Sequence, residues 1–121
     1  MNHRKAEVTL EKERKKEEAQ AKKAANEIRA RASRVIIMLT PISFALEELV
    51  AQPTFKRMTK NMQKELLNAK SKSASLIEEA ESKCKAKDPQ ALTISQDELR
   101  EFAKEAGKII ENGWKTVLAK A

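Results

Sequence analysis

The sequence has few of the residues from which β-sheets are usually built. It contains no tyrosine, one tryptophan and three phenylalanines. A core made by such a chain must consist of aliphatic side chains and methionine, and this inventory favours helices over sheets. Two glycines and three prolines among 121 residues leave few places where a helix would be interrupted. We therefore predict an all-α protein that folds as one bundle.

The residues of a reactive or metal-binding centre are also scarce. Cys84 is the single cysteine, so no disulfide forms within the chain, and His3 is the single histidine. Lys83 and Lys85 flank Cys84, but thiol chemistry also needs a nearby base or a second cysteine. The acidic residues that precede Cys84 have no histidine with which to bind a metal. We expect no enzyme activity, no metal, no cofactor and no small-molecule substrate.

Long apolar runs are absent as well. The longest apolar block, residues 35–50, is interrupted by Pro41 and ends in Glu47-Glu48-Leu49-Val50. It is shorter than the roughly 20 apolar residues that a membrane-spanning helix needs. Residues 1–20 are charged throughout, so we expect no signal peptide. These observations predict an intracellular protein, cytoplasmic or nuclear, that is not bound to a membrane.

Charge is plentiful and unevenly distributed along the chain. The formal net charge is +7 at pH 7. Residues 1–34 carry 11 basic against 6 acidic side chains, residues 51–87 carry 9 against 4, and residues 88–121 carry 5 against 6. This excess favours an acidic partner, which can be nucleic acid, anionic lipid or an acidic protein.

An apolar seam runs through residues 21–49 at alternating spacings of four and three. This is a heptad pattern with apolar a and d positions, and it indicates a helix that packs against other helices. The seam crosses Pro41 in register, so we favour one helix with a kink over a break in which Thr40 caps a new helix. The seam consists of Ala21, Ala25, Ile28, Ala32, Val35, Leu39, Ile42, Leu46 and Leu49.

Turn signals define two further helices. Pro53 or Thr54 begins the second, and Ser95 with Glu98 forms a capping box at the start of the third. We predict helices at about 21–51, 54–87 and 96–120. They form an elongated antiparallel three-helix bundle over residues 35–121, preceded by a charged, helical N-terminal arm over residues 1–34.

The two glycines of the third helix allow two alternative interpretations. Gly107 and Gly113 permit a close approach to another backbone. Alternatively, Asn112-Gly113 ends the helix and starts a final short one around Trp114.

The apolar block is wider than one helix face, which suggests contacts beyond the bundle. Met38, Met58 and Met62 either form an adaptable partner groove or belong to the ordinary core. Tryptophan near the C-terminus either anchors a partner or closes the end of the bundle.

The leading hypothesis is a non-enzymatic helical protein-protein interaction or scaffold module that docks on another protein or on its own copy. The candidate partner-binding residues are Ile36, Ile37, Phe44, Val50 and Trp114.

A basic stripe on the N-terminal arm supports a second hypothesis, a nucleic-acid-binding protein. The stripe occupies e and f positions of the heptad, where it can follow phosphates. Six acidic residues in the same arm dilute it, and no aromatic residue is interleaved for base stacking. The alternative to a binding role is a solvated helix face. The candidate residues are Lys15, Lys16, Lys22, Lys23 and Arg29.

Overall fold

Helices form nearly all of the structure. A computed structural model describes residues 2–120, with side chains described from residue 11. Helix α1 spans Asn2–Ala51, α2 spans Lys60–Lys85 and α3 spans Gln96–Ala119. A short 3₁₀ helix, Pro53–Arg57, lies between α1 and α2, and no strand occurs within residues 2–120. The prediction of an all-α three-helix bundle is confirmed.

Helix α1 continues through Pro41. Proline has no N–H to donate to the carbonyl of Ile37. At the preceding residue, the hydroxyl of Thr40 donates to the carbonyl of Ile36 within the same helix. The helix is continuous from Asn2 to Ala51, so Thr40 does not cap a second helix. The charged N-terminal residues and the apolar block therefore belong to the same rod.

The connection between α1 and α2 differs from the prediction. The Pro53–Arg57 segment forms a 3₁₀ helix, and α2 begins at Lys60 rather than at residue 54. Thr59 is the N-cap, because its hydroxyl accepts a hydrogen bond of 3.2 Å from the N–H of Met62. The side-chain amide of Gln63 donates to two carbonyls of the turn, at 2.9 and 3.0 Å. These contacts stabilise a longer turn than the proline signal alone indicated.

The core consists of two apolar clusters that lie one after the other along α1. The seam supplies side chains to both, and Ile42 packs against both. Full burial of a leucine or valine side chain contributes about 1.5–3 kcal/mol, so the seam is a large part of the stability. The first cluster contains Ala32, Val35, Leu39, Ala80, Leu99, Phe102 and Ala106, and the second contains Leu46, Leu49, Met58, Leu66, Ala69 and Val117.

A carboxylate fastens the connection between α2 and α3. Glu79 accepts a hydrogen bond from the backbone N–H of Thr93 at 2.9 Å and another from its hydroxyl at 2.7 Å. The N–H bond, followed by the hydroxyl bond, lowers the pKa of Glu79 below its ordinary value, and partial desolvation opposes this effect. Two residues later, the Ser95 hydroxyl accepts a 3.1 Å bond from the N–H of Glu98, as the capping box predicted.

The two glycines of α3 have different surroundings. A Cβ added at Gly113 would lie 2.9 Å from Cδ1 and 3.3 Å from Cδ2 of Leu49. Leu49 is fully buried, so its side chain has little room to move. A Cβ added at Gly107 would meet nothing within 4 Å. Gly113 thus approaches the side chain of Leu49 closely, rather than another backbone as predicted, and α3 continues past it to Ala119 without a break.

This difference makes the two glycines a matched pair for mutation. We expect Gly107→Ala to raise the free energy of unfolding by about 0.5–1 kcal/mol, because alanine is the better helix former. We expect Gly113→Ala to lower it by about 1 kcal/mol, since overpacking against Leu49 outweighs the same gain. Urea denaturation of both variants checks this, and equal stabilisation by the two would contradict it.

Candidate interaction surfaces on the first helix

The five candidate partner-binding residues divide into two groups. Ile36, Val50 and Trp114 are half-buried and pack against the core clusters. Ile37 and Phe44 are 74% and 61% exposed. Trp114 packs against the second cluster, which favours the interpretation that it closes the end of the bundle. The first group thus belongs to the bundle, and of the five candidates only Ile37 and Phe44 have most of their surface exposed to solvent.

Ile37 and Phe44 lie on the same side of α1. They are seven residues apart and occupy f positions, which are the farthest from the a and d positions of the seam. The neighbouring c positions hold Arg34, Pro41 and Glu48, and all five residues are exposed. We call this row of five residues the outer face. It has an apolar centre, a positive charge at its N-terminal end and a negative charge at its C-terminal end.

The charges of the outer face are not engaged within the bundle. Among the side chains of residues 11–120, the ion pairs are Arg14–Glu18 at 4.0 Å and Lys115–Glu111 at 3.2 Å. Neither includes Arg34 or Glu48. Both groups are exposed, so they are available to a partner that carries the opposite charge at the matching place.

A groove lies beside the outer face, between α1 and the start of α3. Its volume is about 150 Å³. Apolar side chains that include Val35 and Leu99 line it together with Arg31, Arg34 and Arg100, and no acidic residue is among its lining. A cavity of this size between apolar side chains accommodates a single benzene-sized ring, and pockets for drug-sized ligands are larger. The groove therefore has room for one ring-sized apolar group.

Sequence reasoning missed this groove because its two walls are distant in the chain. Arg31 and Arg34 come from α1, whereas Arg100 comes from α3. The spacing of the two arginines on α1 was the available signal in the sequence. It does not show that residues of α3 form the other wall of the groove. Met38 also lines the groove and is 38% exposed. It continues the apolar surface from the groove towards Ile37, whereas Met58 is buried in the second cluster and Met62 packs, half-buried, against that cluster.

Four of the five basic candidates lie on an exposed stretch of α1 near its N-terminal end. Residues 11–24 are all exposed, and they form about 20 Å of helix at 1.5 Å per residue. The four lysines of the stripe, Lys15, Lys16, Lys22 and Lys23, are therefore exposed to solvent. The name arm is kept from here on for residues 11–24, which are the exposed part of the N-terminal arm predicted over residues 1–34.

Arg29 differs from the four lysines because it is bonded within the bundle. Its guanidinium donates to the carbonyls of Ala86 at 2.8 Å and Lys87 at 2.6 Å, and to the side-chain carbonyl of Asn26 at 3.1 Å. Ala86 is the C-cap of α2, so Arg29 supplies donors where a helix leaves carbonyls without partners. We therefore assign Arg29 a structural role as the clamp that fixes α1 to the end of α2.

Other kinds of site find no support within the described residues. No group of three or more histidine, cysteine, aspartate or glutamate side chains suitable for a metal ion occurs among them. The side chain of His3 lies outside the described side chains. The half-buried thiol of Cys84 lies 3.7 Å from the Ser33 hydroxyl and 3.8 Å from the carbonyl of Arg29, which are weak contacts. In the described part of the chain, no helix has the length and apolar character to cross a membrane.

Comparison of the chain with protein-family models, curated proteins and solved structures finds no match in any of the three.

The clamp formed by Arg29 can be tested by its removal. We expect Arg29→Ala to lower the free energy of unfolding by about 1–2 kcal/mol, because charge-assisted hydrogen bonds to two carbonyls are lost. Arg31→Ala is the matched control, since Arg31 is exposed in the same region of α1, and it should change stability by less than about 0.5 kcal/mol. Urea denaturation measures both, and similar effects of the two substitutions would count against the clamp.

Proposed function

We propose that this protein is a non-enzymatic helical interaction module that docks on another protein chain through the outer face of α1. The observation that carries the proposal is the exposure of Ile37 and Phe44 on one side of a helix whose other side forms the core. Phe44 is one of only three phenylalanines in the chain. A partner that covers both side chains removes most of their apolar surface from water.

The composition of the outer face supports docking on a protein. Bulky apolar residues at its centre, with charges at both ends, resemble the arrangement of a protein-protein interface, in which an apolar core is surrounded by a polar rim. Complete burial of a side chain such as isoleucine or phenylalanine contributes about 1.5–3 kcal/mol. These residues are therefore the anchors of the interface, and the charges orient the partner.

The shape of α1 supports a scaffold role. The arm continues the same helix beyond the bundle, and α1 is fixed to α2 by Arg29. A partner on the outer face is thus held on a rigid element of known direction. The proposal places the protein inside the cell, where its single cysteine stays reduced.

Site-specific photo-cross-linking tests this function. We expect a photoreactive phenylalanine analogue at position 37 or 44 of the full chain to form covalent adducts with a protein in extracts of the source cells. The analogue at position 68, which is exposed on α2, should form none. Both reactive positions are exposed, so the protein should keep its fold, and the circular dichroism spectrum checks this.

Competition gives the specificity of that reaction. Excess unlabelled protein should suppress adducts with other proteins of the extract, whereas excess Ile37→Ser/Phe44→Ser double variant should not, because it lacks the apolar anchors. If adducts at positions 37 and 44 are no more abundant than at position 68, the outer face is not a docking surface.

The exposed lysines of the arm favour a second candidate function, binding of nucleic acid. None of the four takes part in the ion pairs found among residues 11–120. This candidate predicts that the protein binds fluorescent duplex DNA at low salt. It also predicts that Lys22→Glu/Lys23→Glu weakens binding and reduces, by about 2, the slope of the logarithm of the binding constant against the logarithm of the salt concentration. The matched control is Lys60→Glu/Lys64→Glu on α2, which changes two exposed lysines outside the arm. Fluorescence anisotropy measures this, and absence of binding at low salt would reject it.

A further inference from the structure

We infer that the partner of the outer face is a second copy of this chain, with the two α1 helices antiparallel. The inference rests on the proposed function, because it uses the same docking surface. It also names the partner, its orientation and its register. The outer face is self-complementary, meaning that its pattern matches the same pattern turned by half a rotation.

The register follows from the positions on the outer face. When Pro41 of one copy lies beside Pro41 of the other, Ile37 lies within one residue, about 1.5 Å along the axis, of the level of Phe44 of the second copy. In the same register, Arg34 lies opposite Glu48 of the second copy. A two-fold axis between the prolines repeats each contact, so two apolar pairs lie inside two pairs of opposite charge. This is an isologous interface, the arrangement of the commonest class of protein dimer.

The charges select the antiparallel orientation. In a parallel pair with the same residues in contact, Arg34 would face Arg34 of the second copy, and Glu48 would face Glu48. Like charges opposite each other are destabilising, whereas the antiparallel pair brings opposite charges together. Glu47 is also exposed beside Glu48, and it increases the negative charge that Arg34 of the other copy meets.

The geometry of the bundle leaves room for this contact. The seam of α1 packs against α2 and α3, and the outer face lies on the opposite side of the same helix. Two copies can therefore stack with their α1 helices in the middle and their other helices outside. Proline and threonine at the centre, positions 41 and 40, are small enough for the axes to approach to the usual 8–10 Å.

The size of the contact determines its strength. In this register the two helices overlap over residues 31–51, about 30 Å of helix. One helix pair of this length makes an interface at the small end of the range, which is typical of reversible association. We expect a dimer that forms at high protein concentration and dissociates on dilution and in high salt.

Charge exchange across the interface tests the orientation and the register. We expect Arg34→Glu and Glu48→Arg to raise the dimer dissociation constant at least about tenfold each, because each puts like charges opposite one another twice. An equimolar mixture of the two variants should restore dimers, since every contact in the mixed pair again joins opposite charges. Sedimentation equilibrium of the full chain, over a series of concentrations, measures all three samples.

The controls separate this inference from simpler explanations. Lys64→Glu on α2 changes net charge as Arg34→Glu does, and it should leave the dissociation constant unchanged. Circular dichroism should show the same helicity in all variants, because the substituted residues are exposed. Loss of dimers in the control, or failure of the mixture to recover them, would overturn the antiparallel pair.

A further outcome distinguishes this inference from the proposed function. If the unmodified chain is monomeric at every concentration, the second copy is not the partner. Photo-cross-linking from positions 37 and 44 to a different protein would then keep the docking function. If the chain is monomeric and those positions also fail to cross-link, both proposals fail.

Discussion

The burial of one side of α1 is the constraint on which the rest of the structure depends. Ala32, Leu39, Leu46 and Leu49 are fully buried, and they belong to two clusters that α2 and α3 complete. Leucine-to-alanine changes in such a setting commonly cost 2–5 kcal/mol, which is a large part of the stability of a small domain. The positions of α2 and α3 are therefore determined by the seam.

The same constraint explains why the opposite side of α1 can carry function. Residues at the f and c positions do not contribute to the core, so bulky apolar side chains there are not required for folding. Ile37 and Phe44 expose apolar surface that an alanine or a lysine at the same position would avoid. Isolated exposed apolar residues are common in proteins, but here two lie in one row between opposite charges. That combination distinguishes the outer face from the rest of the helix surface.

The fold was largely predictable because its signals are local. Heptad spacing identified the seam, and its residues from Ala32 to Leu49 form the core side of α1. The prediction was wrong at the start of the seam, where Ala21 is exposed. Ser95 was correctly identified as the N-cap of α3, since its hydrogen bond joins residues three positions apart. The start of α2 was misplaced because Thr59, rather than the preceding proline signal, caps the helix, and Gln63 stabilises the intervening turn.

Interactions between distant parts of the chain were not predictable in the same way. Arg29 looked like one member of a basic stripe, because its contact with the end of α2 depends on how the helices align. Ile36 and Val50 lie off the predicted seam of α1, yet they are half-buried by neighbours that spacing along one helix does not reveal. The groove has the same origin, since Arg100 reaches it from α3. The spacing of apolar residues predicts which face of a helix is buried. The neighbouring helices determine which residues at the edges of that face are covered.

Because α1 is continuous through Pro41, it also fixes the distance between sites along its length. Lys16 on the arm and Ile37 on the outer face are separated by about 30 Å of continuous helix, at 1.5 Å per residue. Two ligands held at these places would keep a constant spacing and a constant angle around the rod. A flexible linker of the same number of residues would let both quantities vary.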